Sequence, residues 1–202
     1  MENIEREVFI CSSKEGLKYA TALKRLLTSE LKRYGLYCTL WKDDGVFSLG
    51  QATIENLYRK AQELKEHNGY AIVVITPDDQ IISRNETVYI PRDNIIFELG
   101  LLTGVLGRDF VYCVSPSNID VKIMSDWSGV TNAVYKYHKT PRSNTIDQNL
   151  RSAVSAISRS IERIERPKTV AVEFTKIVTQ ENIYSNPSIT KTIFQEIERN
   201  II

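Results

Sequence analysis

The sequence predicts an α/β fold in which a five-stranded parallel sheet is covered by helices on both faces. Short apolar runs alternate with longer segments whose apolar residues recur at helical spacing, in the order βαβαβαβ, then a loop, a strand and a helix. The run from Tyr70 to Thr76 is almost continuously apolar and largely β-branched, which is typical of a strand buried on both faces. Such alternation predicts right-handed crossovers and a doubly wound sheet.

Each element has its own signal. Strands are expected at 8–12, 36–41, 70–76, 109–114 and, as an edge strand, 131–137. Helices are expected at 17–34, 51–68, 91–107 and 144–166. The last helix is expected to end at Pro167, because proline disfavours continuation of a helix. Residues 78–92 are expected to be a polar loop with one extended piece at 87–90.

The same pattern predicts one domain, 1–167, followed by a short C-terminal appendage, 168–202. The appendage departs from the repeat of strands and helices: Thr169 to Val172 is expected to be a short strand. Ile189, Ile193, Ile197 and Ile201 then form a stripe at helical spacing. We expect this segment to dock onto the domain or to serve as an oligomerisation element.

Bulk composition excludes several classes of function. The 202 residues carry a formal charge of +1, with a pI near 7.7, so there is no broad basic field for nucleic acid. No apolar run approaches the ~18–20 residues of a membrane span, and the charged first six residues do not begin a signal peptide. A cytoplasmic protein without nucleic-acid or membrane partners is expected. The three cysteines and two histidines lack the spacing of metal ligands, so no metal is expected.

The segment 91–107 contains one acid in a nearly all-apolar run, Glu98. The apolar residues go most of the way round the helix, so this segment is expected to be buried: Ile95, Ile96, Phe97, Leu99, Leu101, Leu102, Val105 and Leu106. An ionised carboxylate is costly to bury without a partner. Glu98 is therefore either a structural acid satisfied by Arg92, Arg108 or backbone amides, or an acid turned into a cleft for chemistry.

Polar loops are expected to meet at the carboxyl edge of the sheet, where ligands bind in open α/β folds. They bring acids, cations and the flat side chains of Trp41 and Phe47 to one rim, without a dinucleotide or P-loop fingerprint. Asp93 is expected to be the N-cap of the helix that carries Glu98. The simplest chemistry for Glu98 there is stabilisation of a ribosyl cation as a glycosidic bond breaks.

Several motifs extend this interpretation to a family. They are Val8-Phe9-Ile10 with Ser12-Ser13, Gly50-Gln51-Ala52-Thr53-Ile54-Glu55, Ile75-Thr76-Pro77-Asp78-Asp79, Pro91 to Gly100 with Gly104-Val105-Leu106-Gly107-Arg108, and Ser125 to Val130. In these motifs the chain resembles the bacterial TIR-like domains of CBASS and Pycsar antiphage effectors, which are also found fused to bacterial STING. The resemblance covers roughly residues 6–165. It implies a flavodoxin-like doubly wound sheet, the TIR fold.

The resemblance also implies an activity. Members of this family cleave NAD+ at the nicotinamide–ribose bond, and the Glu of the Phe-Glu-Leu-Gly run, here Glu98, is the catalytic carboxylate. NAD+ is then a substrate, and no cofactor is expected. The residues expected to contact it are Ser12 and Ser13 at the phosphates or ribose, Trp41 and Phe47 at the nicotinamide, and Asp78, Arg92 and Asn94 at the rim.

The resemblance leaves three functions open. The first is an NAD+ glycohydrolase, with ADP-ribose or a cyclised isomer as product, activated when TIR domains self-associate in response to a cyclic-nucleotide sensor domain or protein. The second is a TIR module that only scaffolds partners. The third is a nucleoside or nucleotide ribosyltransferase that uses a carboxylate at the same edge of the sheet.

Overall fold

The computed structural model describes residues 6–46, 53–83, 85–123 and 132–180. The elements in chain order are β1 Arg6–Ser12, α1 Leu17–Leu31, β2 Leu36–Leu40, α2 Thr53–Glu66, β3 Tyr70–Val74, β4 Asp79–Ser83, β5 Glu86–Ile90, α3 Asp93–Leu106, β6 Val111–Pro116, β7 Asn132–Tyr135 and α4 Ser143–Gln180. Short 3₁₀ turns at Lys32–Tyr34 and Arg108–Phe110 lead into β2 and β6. The α/β fold class is confirmed.

The main sheet has five parallel strands in the order β2-β1-β3-β6-β7, with the predicted last strand at one edge. The chain leaves β1 toward one edge of the sheet to form β2, and then returns past β1 to form β3. With right-handed crossovers, this reversal places α1 on one face and both α2 and α3 on the other. The carboxyl ends of β1 and β3 therefore flank a topological switch point, where open α/β sheets bind ligands.

The core under α2 and α3 follows from the period-two alternation of the strands. Phe9 and Cys11 of β1, with Ala71 and Val73 of β3, belong to one buried apolar cluster. The same cluster contains Leu57, Ala61 and Leu64 of α2, Ile95, Leu99, Leu102 and Leu106 of α3, and also Val46, Ile75, Val111 and Cys113. Contacts with α2, β3 and β6 fix the position of α3 on this face of the sheet.

A buried ion pair joins α2 to the amino end of β1. Lys60 Nζ lies 3.1 Å from Glu7 Oε2 and 3.1 Å from Glu63 Oε2, and the Lys60 side chain is only 10% exposed. Thr39 of β2 donates its hydroxyl to the other oxygen of Glu7. Burial by itself lowers the pKa of Lys60, but Glu7 and Glu63 outweigh it and raise the pKa. These contacts hold β1, β2 and α2 together at the edge opposite the switch point.

The segment expected to be a polar loop at 78–92 is instead mostly an antiparallel hairpin, β4–β5. Its five residue pairs run from Asp79↔Ile90 to Ser83↔Glu86, and Asn85 adopts a φ of 66° in the turn. Asparagine enters this left-handed region more readily than most residues. The hairpin is separate from the main sheet and leaves Ile82 82% exposed near its tip, so it buries little of its apolar surface. Only the piece at 87–90 was expected to be extended.

Two further expectations about helices are wrong. The helix α3 is buried on one face only: Ile95, Leu99, Leu102 and Leu106 pack inward, whereas Phe97 is 51% exposed. The helix α4 does not end at Pro167 but continues to Gln180, so the short strand expected at 169–172 is helical. A proline inside a helix removes one backbone hydrogen bond, but its fixed φ is compatible with helical geometry. The helix α4 therefore loses stability only locally at Pro167 and continues beyond it.

The chain divides into two compact units, Met1–Ser158 and Arg159–Ile202. The predicted boundary at 167/168 stays a prediction, and the isoleucine stripe at 189–201 lies outside the described residues. Within the described ranges, no helix combines the length and the apolar character needed to cross a membrane.

Candidate functional site

A cavity of about 560 Å³ opens at the switch point between β1 and β3. This volume lies in the roughly 300–1,000 Å³ range of small-molecule sites. Its lining combines apolar side chains with charged and hydroxyl groups: Phe9, Cys11, Ser12, Ser13, Lys14, Glu15, Trp41, Leu57, Arg92, Asn94, Ile95 and Glu98. Five predicted site residues that lie far apart in sequence, Ser12 and Ser13, Trp41, Arg92 and Asn94, are thus brought to one cavity with Glu98.

Glu98 lies in the second turn of α3, on the side of the helix that borders the cavity. Burial raises the pKa of its carboxyl group to about 7, and a hydrogen bond with the Cys11 thiol acts in the opposite direction. Among the described residues, no salt bridge includes Glu98. The structure therefore places a partly exposed carboxyl group, able to change protonation near neutral pH, in a cavity rather than in a structural ion pair with Arg92 or Arg108.

The loop after β1 forms a rigid wall of this cavity. The Ser13 hydroxyl lies 2.9 Å from the Thr76 hydroxyl and accepts a hydrogen bond of 3.1 Å from the Gly16 amide. The Ser12 hydroxyl donates to the Ser13 carbonyl oxygen at 3.0 Å. A side chain at Gly16 would come within 3.3 Å of Ser12 and Thr76, so this position favours glycine. Both serines are mostly buried, and their hydroxyls are already engaged within the protein.

Arg92 links the loop after β1 to the β4–β5 hairpin at the rim of the cavity. Its guanidinium lies 3.0 Å from Glu15 Oε1 and 3.5 Å from Asp79 Oδ2. A backbone hydrogen bond and the Arg92 contact together lower the pKa of Glu15. Asp78 does not line the cavity; its Oδ2 accepts the Arg92 amide at 3.3 Å, and burial raises the pKa of its carboxyl group. Asp78 thus supports the rim, while Arg92 and Glu15 form it.

The start of α3 differs from the expected capping arrangement. The N-cap is Arg92, without a side-chain cap, and Asp93 is the first helical residue. The Asp93 carboxylate accepts a hydrogen bond of 2.8 Å from the Asn94 amide. Its negative charge still lies in the first turn, where it stabilises the helix by interacting with the positive end of the helix dipole. The exposed Asn94 borders the cavity.

Trp41 follows β2 and lines the cavity. Its amide continues the ladder by donating to the Ile10 carbonyl at 3.0 Å. Asp43 fixes the following turn, because its Oδ2 accepts the Leu40 amide at 2.7 Å and pairs with Lys24 at 2.6 Å. The indole Nε1 is buried and has no hydrogen-bond partner among the described residues. Phe47 lies outside the described residues.

Sequence reasoning missed Cys11 as a site residue and treated it as a small buried apolar side chain. Its burial is confirmed, and its alternation with Phe9 on β1 is the signal that places it under α3. The described ranges hold no group of three or more His, Cys, Asp or Glu side chains that could hold a metal ion.

Comparison with known proteins shows the family to which the chain belongs. Residues 7–137 match the family described as CAP12/Pycsar effector protein, TIR domain, and this match covers more than half of the chain. The chain belongs to this TIR family. The matched range contains every side chain that lines the cavity, including Glu98. The resemblance stated from the motifs is thereby confirmed.

Similar proteins carry the same family names. The TIR chain is 35% identical over 133 residues to the Pycsar effector protein PaPycTIR of Pseudomonas aeruginosa, covering 66% of this chain and 40% of that protein. It is 30% identical over 213 residues to CD-NTase-associated protein 12 of Flavobacterium daejeonense, covering 98% of this chain and 63% of that protein. The TIR chain thus spans between two fifths and two thirds of the length of these relatives.

Solved structures are more distant. A diflavin flavoprotein A3 from Nostoc sp. shares 12% identity with this TIR chain at a TM-score of 0.45, over 80% of this chain and 98% of that one. A similarity of this degree assigns no function. The order and direction of the strands themselves establish the TIR chain's flavodoxin-like architecture.

The raised pKa of Glu98 predicts a stability change in the TIR domain. A buried acid whose folded pKa lies above its unfolded value lowers stability as pH rises from about 4.5 to about 7. Glu98→Gln should therefore raise the free energy of unfolding at pH 8 by about 2 kcal/mol, a figure reduced for partial solvent access. The gain should vanish at pH 4. Denaturant unfolding at both pH values measures it.

The exposed Glu66 at the end of α2 provides a matched control. Glu66→Gln should change the free energy of unfolding by less than about 0.5 kcal/mol at either pH. Equal stability of wild type and Glu98→Gln at pH 8 would contradict the assignment of Glu98 to a desolvated position.

Proposed function

We propose that this TIR domain is an NAD+ glycohydrolase that acts as an antiphage effector. The observation that carries the proposal is Glu98, a carboxyl group outside every salt bridge of the described residues, with a pKa of about 7, that borders a 560 Å³ cavity at the switch point of the sheet. Membership of the CAP12/Pycsar effector TIR family supports it. Pycsar effector proteins of Pseudomonas aeruginosa and Xanthomonas perforans are among its relatives.

The proposed reaction breaks the bond between the nicotinamide nitrogen and C1′ of the ribose. The electron pair of this bond leaves with nicotinamide, which becomes neutral, and C1′ becomes an oxocarbenium-like cation. The Glu98 carboxylate stabilises this cation electrostatically. Water then adds to C1′ and loses a proton, which gives ADP-ribose; an internal nucleophile would instead give a cyclised isomer. Each step depends on an ionised Glu98.

The remaining cavity groups suit the two ends of such a substrate. The Trp41 ring offers a flat surface on which a nicotinamide ring can stack. Lys14 supplies a cation at the rim, and no salt bridge commits it within the described ranges. Ser12, Ser13 and Asn94 border the space between them.

Self-association is part of the proposal. Three large apolar side chains are about half exposed on the neighbouring helices α2 and α3, namely Ile54, Tyr58 and Phe97, at 51%, 49% and 51%. An apolar surface of this kind commonly marks a contact with another protein. We propose that a second copy of the TIR domain covers it in the active assembly. In a cell, a cyclic-nucleotide sensor domain or protein would bring the copies together.

The test is release of nicotinamide from NAD+ by the purified protein over a range of protein concentrations. The rate per molecule should rise with concentration if assembly activates the site. Against pH, the rate should increase through a midpoint near 7 and level off above it, because the ionised form of Glu98 is the active one.

The alternatives give different results. A scaffold module would release no nicotinamide at any concentration or pH. A ribosyltransferase would cleave free nucleosides or nucleotides faster than NAD+. A rate that falls as pH rises through 7 would show that a protonated Glu98 acts as an acid, and would contradict the role proposed here.

A further inference from the structure

The Cys11 thiol and the Glu98 carboxyl group line the same cavity, and each influences the pKa of the other. Cys11 is the next-to-last residue of β1, is 1% exposed, and lines the same cavity as Glu98. Its sulfur also lies 3.6 Å from the Ile72 carbonyl oxygen, a contact within reach of a thiol donor. The thiol thus has one acceptor on the backbone of β3, and the Glu98 carboxyl group of α3, in the same cavity, is a candidate second acceptor.

Few other ionisable groups among the described residues lie near the Glu98 carboxyl group. Cys113 on β6 interacts with Cys11 and is buried, which raises its thiol pKa to about 12 and keeps it neutral. On α2, Lys60 is paired with Glu7 at the opposite end of β1. At the rim, Arg92 is paired with Glu15 and Asp79, and Lys14 borders the cavity.

We propose that Cys11 is a positioning residue for Glu98: its thiol donates a hydrogen bond that orients the carboxylate and stabilises its ionised form. The need for an ionised carboxylate rests on the proposed NAD+ cleavage, whereas the hydrogen bond itself does not. The thiol suits this task because it remains protonated at neutral pH. Burial, and then the negative charge of Glu98, raise its pKa well above the ordinary value.

With two acceptors nearby, the Cys11 thiol can change its hydrogen-bond partner when Glu98 gains or loses a proton. When the carboxyl group is ionised, it is the stronger acceptor and takes the thiol proton as a hydrogen bond. When the carboxyl group is protonated, the thiol donates to the Ile72 carbonyl oxygen instead. The buried sulfur thus satisfies both states of Glu98 without a charged partner that would compete with a cationic transition state.

The test is a direct titration of Glu98 in the full chain by ¹³C NMR of labelled glutamate side chains, with its signal assigned by its absence in Glu98→Gln. Cys11→Val removes the donor and retains an apolar side chain suited to a buried strand. It should raise the pKa of Glu98 by about half a unit or more. Cys11→Ser, with a hydroxyl donor, should keep the pKa at or below the wild-type value.

Cys38→Val is the matched control, since Cys38 is a buried thiol on β2 that does not line the cavity. It should leave the pKa of Glu98 unchanged. If Cys11→Val does not fold, Cys11→Ala tests the same donor. An unchanged Glu98 pKa in the apolar variant, or an equal rise in Cys11→Ser and Cys11→Val, would overturn the proposal, because only packing would then be at work.

Nicotinamide release gives the functional readout. The acid limb of the Cys11→Val profile should shift upward with the pKa, so that at pH 6 the rate falls about threefold, while at pH 9 it matches wild type. A uniform loss at all pH values would indicate a structural role and overturn the proposal. If the wild type releases no nicotinamide, the proposed function fails, and the NMR titration still decides whether Cys11 supports Glu98.

Discussion

Replacement of Glu98 by glutamine is expected to lower the rate of nicotinamide release from NAD+ by about 10²- to 10³-fold. Glutamine keeps the size and hydrogen-bonding capacity of the side chain but removes the negative charge opposite the developing ribosyl cation. The effect should be on kcat rather than on KM, since the charge matters most in the transition state. Initial rates of release at pH 8 and saturating NAD+ measure it.

The matched control is again Glu66→Gln, whose rate should equal that of wild type. Retention of the fold by Glu98→Gln follows from the stability increase predicted at pH 8. If Glu98→Gln releases nicotinamide as fast as wild type, cleavage uses another group, and Glu15 is then the next acid in the cavity to test.

The largest expected loss of stability comes from Lys60→Met. This change leaves the Glu7 carboxylate, whose side chain is 13% exposed, without its cation. Removal of one partner of a buried ion pair costs about 3–5 kcal/mol, because the other charge remains desolvated. We expect a loss near the lower value, since the Thr39 hydroxyl still donates to Glu7. Denaturant unfolding at pH 7 measures it.

Two variants separate the buried charge from general effects of the substitution. Lys65→Met changes an exposed lysine of the same helix and should shift the free energy of unfolding by less than about 0.5 kcal/mol. Glu7→Gln combined with Lys60→Met removes both charges and should recover at least half of the loss. A Lys60→Met variant as stable as wild type would show that the pair contributes nothing.

The parallel sheet was predictable because its central strands β1, β3 and β6 are buried on both faces over most of their length. Such strands appear in the sequence as short apolar runs, and the helices between them fix the handedness of the crossovers. The hairpin at 79–90 was not predictable on the same grounds. It buries little apolar surface, as the 82% exposure of Ile82 shows, so its sequence lacks the clean alternation that a half-buried strand acquires.

The exposed side of α3 was missed for a related reason. Apolar and small residues follow each other through most of this helix, so periodicity alone does not separate the face that packs from the face that does not. Phe97 and Glu98 are neighbours in the chain, yet one side chain is half exposed and the other borders the cavity. Only packing against α2, β3 and β6 decides the rotation of the helix.

For the site, the sequence by itself determined that an acid, Glu98, would stand near the carboxyl edge of a doubly wound sheet. Local patterns suffice for this, because the order of elements fixes which ends of the strands meet. The tertiary structure decided which groups surround that acid. Cys11 lines the same cavity from 87 positions earlier in the chain, and Arg92 is paired with Glu15 from 77 positions away. Such contacts depend on strand register and helix rotation, which no local pattern encodes.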